Sequence, residues 1–283
     1  MNGFINLYKP SGVSSAGVLN AVKKTFKGYK VGHMGTLDPM AHGVLPIAIG
    51  KSTRLFDYLL DKEKVYSAIF TFGYQTDTLD REGKVIFDGG VVPTIEEVRS
   101  VIPKLLGKIN QVPPSFSAKN VNGKRSYELA RKGEIINLPP KEVEILDIKV
   151  DDCDEKNSYA FTITCKGGTY IRSICRDIAT MLNTYATMTM LRRDKSGAFE
   201  ISRSVTADKI NKETANQLLI KPDSVLTFEK VELPNNLYED LINGRPCAKG
   251  LKDGLYSVYG KGEFIGVASS QKGNLKIKSY IKD

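Results

Sequence analysis

The side chains best suited to chemistry lie in one short segment, residues 32–46. It contains both histidines of the chain, His33 and His42, and a single carboxylate, Asp38, together with three glycines and two prolines. Glycine adopts backbone conformations that other residues avoid, and proline fixes φ and removes a hydrogen-bond donor. Because Asp38 directly precedes Pro39, its backbone is biased towards an extended conformation. The segment therefore predicts a stiff loop that presents one carboxylate, either in an ordinary Asp-Pro turn or as a catalytic acid, base or nucleophile.

The composition narrows the classes of function. The chain has 283 residues, of which 41% are hydrophobic and 26% charged, and this length allows one large domain and a small one. Lysine and arginine number 41 against 32 aspartate and glutamate residues, which gives a net charge of +9. A modest excess of this kind favours a polyanionic partner such as nucleic acid, although many basic proteins bind none.

The cysteines and the apolar segments argue against several other classes. The four cysteines (Cys153, Cys165, Cys175 and Cys247) include no Cys-x-x-Cys pair, so we expect neither a zinc site nor a disulfide framework. No apolar run approaches the ~20 residues of a membrane-spanning helix, and the N-terminus has no signal-peptide pattern. These features predict a cytoplasmic protein without membrane association or a bound metal.

Hydrophobic periodicity and capping residues predict the elements that must position Asp38. Strands are predicted at residues 4–8, 44–49, 65–72, 143–150 and 159–165, and helices at 14–26, 52–60, 94–106, 170–182 and 206–219. Beyond about residue 232 the pattern changes to short strands between glycine turns, at 255–259, 264–268 and 275–281, which is typical of a small β-barrel. Residues 111–140 begin and end with Pro-Pro pairs and resemble an inserted arm, with a helix at 126–132.

A phosphate-binding loop is disfavoured at residues 50–53, although their sequence, Gly-Lys-Ser-Thr, invites that interpretation. The P-loop pattern needs a glycine five positions before Gly50, where this chain has Leu45, and Pro46 interrupts the loop. We therefore expect a tight connection between a strand and a helix.

Three further positions have both a structural and a functional interpretation. Tyr66 begins a strand, where it is either a core residue or a ring that stacks on a base. Arg172 lies in the first turn of a helix, where its charge opposes the macrodipole, so it either faces solvent or pairs with a carboxylate. Arg192 and Arg193 belong to a basic cluster beside Gly197, which is either a solvated surface or a phosphate contact.

The order of these motifs resembles the TruB family of tRNA pseudouridine synthases over about residues 3–205. The matching segments are residues 9–15, 32–46, 64–66, 73–83, 111–118, 168–172 and 191–199. Seven motifs in the same order are far more than chance produces, and the sequence Gly-His-Met-Gly-Thr-Leu-Asp-Pro at residues 32–39 is close to diagnostic.

The resemblance implies an α+β fold. A mixed, largely antiparallel sheet flanked by helices is expected in residues 1–231, and a small β-barrel of the PUA type in residues 232–283. Residues 111–140 correspond to an RNA-clasping thumb. In this segment the chain has Lys119 and Asn120 where the family usually has an apolar residue and a lysine. For this reason we do not assign the family's individual thumb contacts to residues of this chain.

The implied activity is the isomerisation of uridine-55 in the T-loop of tRNA to pseudouridine. The base leaves C1′, rotates and rejoins through C5, so the reaction needs no redox partner or group donor, and we expect no cofactor. A target base stacked inside folded RNA must first be flipped out. The expected partner is the T-arm of tRNA, and the chain is expected to act as a monomer without a protein partner.

The resemblance also implies roles for individual residues. Asp38 matches the catalytic carboxylate, which acts as a nucleophile or as a base, and Arg172 matches the arginine that pairs with it. Tyr66 matches the tyrosine that stacks on the flipped base and assists proton transfer at C5. Tyr170 and Leu191 match residues that line the pocket.

Five further residues are expected to bind the substrate or to support the site. His33 matches a residue that supports the flipped-out T-loop, and Lys9 belongs to a segment packed beneath the active-site loop. Lys64, Arg192 and Arg193 complete the predicted substrate-binding set.

Two alternatives to this function stay open at the level of sequence. One is a tRNA-binding or tRNA-folding chaperone in which catalysis is secondary. The other is a relative that acts on guide-RNA-bound ribosomal RNA, which we disfavour because those relatives generally carry extra terminal extensions.

Overall fold

The computed structural model describes residues 1–116, 120–121, 124–125 and 138–282. Most of the predicted thumb, including the helix expected at 126–132, lies outside the described residues. Among the residues that are described, no helix is long and apolar enough to cross a membrane.

Strands and short helices alternate along the described part of the chain. The strands are β1 (Gly3–Lys9), β2 (Val31–His33), β3 (His42–Ile49), β4 (Lys64–Phe72), β5 (Tyr74–Thr76), β6 (Val85–Asp88), β7 (Gly107–Gln111), β8 (Asn120–Val121), β9 (Lys124–Arg125), β10 (Lys141–Asp152), β11 (Ser158–Cys165), β12 (Ala186–Ser196), β13 (Phe199–Glu200), β14 (Glu229–Leu233), β15 (Cys247–Leu251), β16 (Gly254–Gly260), β17 (Glu263–Gln271) and β18 (Gly273–Tyr280). The α-helices are α1 (Ser15–Thr25), α2 (Phe56–Leu59), α3 (Ile95–Val101), α4 (Ile171–Met181), α5 (Ala215–Leu218) and α6 (Asn235–Ile242). Short 3-10 helices lie at Gly50–Leu55, Ile102–Leu105, Ile201–Arg203, Ala207–Lys209 and Pro222–Val225.

Capping residues explain where two of the helices begin. The Ser14 side chain accepts a hydrogen bond from the main-chain N–H of Gly17 at the start of α1 (3.0 Å). At α3, Thr94 and Glu97 form a reciprocal capping box, in which each side chain binds the main-chain N–H of the other residue. Such caps satisfy main-chain donors that have no partner inside the helix.

The larger sheet supports the predicted site. Its strand order is β1-β3-β12-β4-β11-β10-β7, with β2 paired to β3 and β13 to β12. All these pairs are antiparallel except β3 with β12, which run parallel where Gly43 lies opposite Arg193. Helices α1, α3 and α4 bury Val22, Val98 and Ile174 in one continuous core with the sheet. The prediction of a mixed, largely antiparallel sheet flanked by helices is confirmed.

A second, smaller sheet follows near the C-terminus. Its order is β14-β16-β17-β18-β15, and α6 packs on it through Tyr238 and Leu241. Strands β16 and β17 contain the short strands predicted at 255–259 and 264–268, and β18 matches the one predicted at 275–281 except for its last residue. This curled sheet agrees with the expected PUA-like module. Strand β14 crosses the proposed domain boundary at residue 232, and that boundary stays a prediction.

The charged helix predicted at 206–219 is wrong. Only Ala207–Lys209 form a 3-10 turn and only Ala215–Leu218 a short helical turn. Between them, the Asn211 side chain accepts hydrogen bonds from the main-chain N–H groups two and three residues further along (2.9 and 3.0 Å). Such side chains compete with a helix for main-chain donors and favour a turn.

Strand β12 lies in the middle of the larger sheet, although the sequence pattern does not predict it. Four of its last five residues are charged, which is typical of a surface segment. In the structure it pairs with β4 on one side and β3 on the other. A periodicity argument places charged residues at the protein surface. Arg193 of this central strand is buried instead, because its guanidinium donates hydrogen bonds to main-chain carbonyls.

The two sheets share a hydrophobic cluster. Phe4 and Val44 from the larger sheet pack in the same cluster as Val267 and Ile281 from the C-terminal part of the chain. Burial of these side chains joins the two sheets through a common apolar contact.

Residues 50–53 help to hold the end of the chain. The Lys51 Nζ atom donates a hydrogen bond to the main-chain carbonyl of Lys282. Nearby, the Arg54 guanidinium donates to the carbonyl of Tyr280 (2.9 Å). The Gly-Lys-Ser-Thr sequence thus forms a structural connection, a 3-10 helix where a longer α-helix is predicted.

Replacing Gly43 with alanine should destabilise the fold. Gly43 has φ +104°, and a Cβ atom there would lie 2.3 Å from the carbonyl oxygen of Arg193. Backbone strain of about 1–3 kcal/mol then adds to a main-chain clash, so we expect Gly43→Ala to lower the free energy of unfolding by more than about 3 kcal/mol. Urea denaturation measures the loss.

Gly28→Ala is the matched control for this substitution. Gly28 also has a positive φ of +92°, but a Cβ atom there meets nothing within 4 Å. Its left-handed backbone alone should cost about 1–2 kcal/mol. Equal losses in the two variants would contradict a clash between β3 and β12.

Candidate active site

One cavity, of about 260 Å³, brings together most of the predicted site residues. It lies between the loop of residues 32–46, the start of β4, the start of α4 and the middle of β12. Seven of the ten predicted residues line it: Asp38, Lys64, Tyr66, Tyr170, Arg172, Leu191 and Arg193. The other three, Lys9, His33 and Arg192, lie outside its lining.

The strongest contact in the cavity joins Asp38 to Arg172. The Arg172 Nη2 and Nε atoms each lie 3.0 Å from a different carboxylate oxygen of Asp38. Two parallel contacts of this kind fix both the distance and the plane of the carboxylate. The Arg172 side chain is 5% exposed and that of Asp38 is 31% exposed, so the carboxylate keeps a face open to the cavity. Of the two interpretations of Arg172, pairing with a carboxylate is therefore the one observed.

A second carboxylate, Asp80, shares the same guanidinium. Its Oδ2 atom lies 3.4 Å from Arg172 Nη1, which also donates to the carbonyl of Thr78 (3.0 Å). Asp80 is buried, and its Oδ1 atom accepts hydrogen bonds from the Thr78 hydroxyl (2.7 Å) and from the N–H of Glu82 (3.1 Å). Arg172 is thus held between two carboxylates.

Sequence reasoning does not single out Asp80. It lies inside the motif at residues 73–83, among two other acidic residues, Asp77 and Glu82. The only local signal is Thr78 two positions earlier, because a hydroxyl at that spacing can hold a carboxylate in a tight turn.

Opposing effects act on the ionisation of Asp38. Burial raises the pKa of this carboxyl, the Arg172 charge lowers it, and the Asp80 charge raises it again. The net direction is upward. Asp38 is therefore more basic than an exposed aspartate while its salt bridge still favours the anion.

Lys9 and two serines hold the loop that carries Asp38. Lys9 is fully buried, and its Nζ atom donates to the carbonyls of Pro10 (2.9 Å) and Pro39 (3.1 Å). Burial lowers the pKa of Lys9 to about 8, and the nearby Asp38 charge opposes this change. The Ser11 hydroxyl donates to the carbonyl of Met40 (2.7 Å), and the Ser15 hydroxyl binds both main-chain groups of Leu37, each at 2.9 Å. The buried position of Lys9 beneath the loop is the one that the resemblance implies.

Tyr66 and Lys64 point to the same side of β4. Tyr66 is buried, and burial raises the pKa of its phenol, while the Arg193 charge opposes that rise. The Lys64 Nζ atom donates to the carbonyls of Leu60 (2.7 Å) and Lys62 (3.2 Å). Burial lowers the pKa of Lys64 to about 8. Both side chains therefore belong to the floor of the cavity.

The main chain of Tyr170 is fixed by Gln111. The Gln111 side chain accepts a hydrogen bond from the Tyr170 N–H (2.8 Å) and donates one to its carbonyl (3.1 Å). Leu191 is buried on β12. Together they give the cavity an aromatic and an aliphatic wall.

The neighbouring arginines of the basic cluster lie in different environments. The Arg192 side chain is 44% exposed and pairs with Asp194. Arg193 is 1% exposed, and its Nε and Nη2 atoms donate to the carbonyls of Val44 (2.7 Å) and Gly35 (3.2 Å). A surface position, which the sequence suggests for the whole cluster, is wrong for Arg193.

His33 lies at the end of β2, in the first part of the loop of residues 32–46. Its partner across the sheet is Ile47 in β3. Burial lowers the pKa of the His33 imidazole, and the charges of Arg193 and Lys23 lower it further. A neutral ring suits stacking or hydrogen bonding better than ion pairing.

The chemistry available in the cavity follows from one carboxylate, one guanidinium and one phenol. A carboxylate held by a buried cation can attack an electrophilic carbon or accept a proton. The aromatic and aliphatic walls suit a flat ring. The cavity is therefore suited to covalent or acid–base chemistry on a flat ring bound between these walls.

Two solved structures share the fold of this chain. A chain of an H/ACA RNP bound to a substrate RNA that contains 2′-deoxyuridine aligns with a TM-score of 0.73 and 23% identity, over 99% of this chain and 85% of that one. A chain of a Cbf5-Nop10-Gar1 complex aligns with a TM-score of 0.72 and 23% identity, over 99% of this chain and 84% of that one. These likenesses show a shared fold, and on that fold this chain carries the carboxylate site described above.

The sequence comparisons define the family more narrowly. Residues 23–171 match the TruB family pseudouridylate synthase N-terminal domain, and residues 172–226 match the tRNA pseudouridylate synthase B C-terminal domain. Proteins named tRNA pseudouridine synthase B from Clostridium novyi and Clostridium kluyveri are 39% and 38% identical, each over 99% of this chain and 100% of the relative. One from Ehrlichia chaffeensis is 42% identical over 74% of this chain and 71% of the relative. The chain belongs to the TruB family of pseudouridylate synthases and is an isomerase.

Removing the charge of Asp80 should slow the reaction without unfolding the protein. Asp80→Asn keeps the shape of the side chain but leaves Arg172 with Asp38 as its one remaining carboxylate partner among the described residues. A small displacement of a catalytic group can cost about 100-fold in rate, so we expect a loss of at least about tenfold in single-turnover rate. RNA affinity should stay within about twofold, because Asp80 is buried and makes no phosphate contact.

Asp77→Asn is the matched control. Asp77 lies in the same turn but is exposed, and its carboxylate accepts a hydrogen bond from the N–H of Lys84 (2.9 Å). An equal loss of rate in both variants would show that the turn as a whole, rather than the bridge to Arg172, matters.

Proposed function

We propose that this chain converts uridine-55 in the T-loop of tRNA to pseudouridine. Family membership makes it an isomerase that acts on tRNA; the position of the uridine and the roles of the residues are the proposal. The observation that carries it is the Asp38 carboxylate, held by Arg172 at two oxygen atoms and open to a cavity that Tyr66 also lines.

The proposed reaction is balanced without any second reactant. The bond between C1′ and N1 breaks, a bond between C1′ and C5 forms, C5 loses a proton and N1 gains one. Asp38 acts either as a nucleophile, towards the sugar or the base, or as a base that removes a ribose proton. Its raised pKa and its open face are compatible with each of these roles.

Tyr66, Tyr170 and Leu191 are proposed to hold the flipped base. The target uridine leaves its stack to reach the cavity, and the energy of unstacking is recovered in part by contacts with aromatic and apolar side chains. Tyr66 is also proposed to assist the proton transfer at C5, because its phenol lies in the same cavity as Asp38.

Contacts outside the cavity are proposed for His33 and Arg192. Arg192 pairs with Asp194 but is partly exposed next to the cavity wall formed by Leu191 and Arg193, so a phosphate can reach its guanidinium from solvent. His33 stands at the entrance of the catalytic loop and is proposed to support the open T-loop. The T-arm of tRNA is the proposed partner, and the chain is proposed to bind it as a monomer without a protein partner.

Removing the carboxylate of Asp38 should abolish catalysis. Asp38→Asn keeps the size of the side chain, and Arg172 retains Asp80 as a partner. We expect a loss of at least about 1,000-fold in rate, which corresponds to about 4 kcal/mol in the barrier, with unchanged folding and tRNA binding. The measurement is pseudouridine mapping in unmodified tRNA after incubation with each protein.

The same experiment tests the position of the product. Wild-type protein should place pseudouridine at position 55 alone. Product at another position would overturn the site assignment, and normal turnover by the variant would overturn the role of Asp38. A separate tRNA-folding assay with the Asp38→Asn variant tests the chaperone alternative. If this variant still promotes tRNA folding, the protein has a chaperone activity in addition to catalysis.

Binding of tRNA should weaken strongly with salt. Each phosphate that a lysine or arginine neutralises contributes roughly 0.7–0.9 to the slope of log K against log salt. With the chain at a net charge of +9, we expect several such contacts and a clearly negative slope. Filter binding between low and physiological salt measures it, and a flat dependence would contradict a binding mode dominated by phosphates.

A further inference from the structure

The Arg193 guanidinium is a buried cation that pairs with no carboxylate among the described residues. It is 1% exposed, among the largest fully buried side chains of the described residues. Within that part of the chain, no carboxylate lies at ion-pair distance from it. Burying a charge without an opposite charge costs several kcal/mol unless hydrogen bonds compensate. The cation must therefore be held by other contacts, and its position indicates what those contacts do.

Two main-chain carbonyls hold Arg193 to both sides of the catalytic loop. Its Nη2 atom donates to Gly35 O (3.2 Å), three residues before Asp38, and its Nε atom donates to Val44 O (2.7 Å), six residues after it. The main chains also meet, since Arg193 is the parallel partner of Gly43 in β3. Arg193 is thus connected to the loop on both sides of Asp38.

Tyr66 is the residue directly opposite Arg193 on the other neighbouring strand. The two are partners in the antiparallel ladder between β12 and β4. Side chains of directly opposed residues lie on the same face of a sheet and contact each other. Both side chains line the cavity. The guanidinium therefore stands between the loop of Asp38 and the phenol of Tyr66.

The other charged groups near the phenol do not replace this contact. Cys165 lies on β11 opposite Lys64, and Asp38 lies on the loop. Both raise the pKa of the Tyr66 phenol, which burial already raises. Lys64 lies on Tyr66's own strand and is bound to two carbonyls. Among these groups, Arg193 opposes the rise in the pKa of Tyr66, through its charge and through hydrogen bonding.

We infer that Arg193 is a positioning residue that acts through Tyr66: it fixes the phenol at the cavity floor and sets its distance from the Asp38 loop. This inference rests on the proposed function in assigning Tyr66 a part in proton transfer. One interpretation of the sequence is that Arg193 contacts a phosphate, and the inference assigns it a role inside the protein instead. A side chain this deeply buried cannot reach an RNA backbone.

A titration of Tyr66 in the free protein tests the contact without any reaction. 3-Fluorotyrosine is placed at position 66 in the full chain, and its ionisation is followed by the fluorine chemical shift. Removing an adjacent cation should raise the midpoint, by about one pH unit for Arg193→Gln. An unchanged midpoint would overturn the inference.

Arg99→Gln is the matched control for the titration. Arg99 also donates to a main-chain carbonyl, that of Val150 (2.9 Å), but it lies on α3. Its loss removes a comparable arginine–carbonyl contact and should leave the midpoint at position 66 unchanged.

Single-turnover kinetics test whether Arg193 acts through Tyr66. Arg193→Lys keeps the charge and loses the forked geometry, so it also covers the case in which Arg193→Gln does not fold. We expect Arg193→Lys to reduce the rate at least about tenfold in the wild-type background and less than about twofold in the Tyr66→Phe background, because coupled residues are not additive. Affinity for tRNA and its salt slope should not change.

The outcomes separate this inference from the proposed function. Equal losses in both backgrounds would show a general structural role, and a reduced salt slope would show a phosphate contact; either result overturns the inference. If the wild-type protein makes no pseudouridine, the proposed function fails, while the fluorine titration still decides whether Arg193 controls Tyr66.

Discussion

The site depends on one guanidinium, that of Arg172, shared by two carboxylates. Asp38 comes from the loop between β2 and β3, Asp80 from the turn after β5, and Arg172 from the start of α4. Three separate parts of the chain must therefore converge within hydrogen-bond distance. Two acidic partners offset the free-energy cost of burying the Arg172 charge, which would be higher for a cation without any partner. The sheet and α4 bring these three segments together, and the attraction between Arg172 and the two carboxylates fixes the positions of the side chains.

The loop of Asp38 owes its rigidity to contacts from outside as much as to its glycines and prolines. Lys9 binds the carbonyl of Pro39, and Arg193 binds those of Gly35 and Val44. Main-chain carbonyls are strong acceptors and cannot titrate, so they hold these cations at any pH at which the cations remain charged. These contacts fix the carboxylate without adding another acidic group besides Asp80, whose charge already raises the pKa of Asp38.

Much of this site could be predicted from sequence, and the remainder shows where such prediction ends. The density of glycine, proline and histidine around Asp38 indicates a stiff loop. A cation in the first turn of α4 leaves two alternatives, a solvent-facing side chain or a carboxylate partner, and the family resemblance selects the second. Asp80 gives no comparable signal, because its importance comes only from a contact across the fold. Arg193 is harder still: a periodicity argument assumes that charged residues face water, whereas in this fold carbonyls on two neighbouring segments replace the water. The helix predicted at 206–219 failed for a related reason, since one asparagine side chain outweighs the helical pattern.

The same contacts divide recognition of RNA into two parts. Inside the cavity, the positive charges are already engaged, Arg172 by carboxylates and Lys64 and Arg193 by carbonyls. They are poorly placed to attract a phosphate, and releasing them would expose buried acceptors at a cost of about 1–3 kcal/mol each. The proposed function therefore assigns attraction of the RNA backbone to exposed cations such as Arg192, and assigns to the cavity a base that has already left its stack. In that proposal, affinity and chemistry depend on different residues, so the buried network keeps its geometry when RNA binds at the surface.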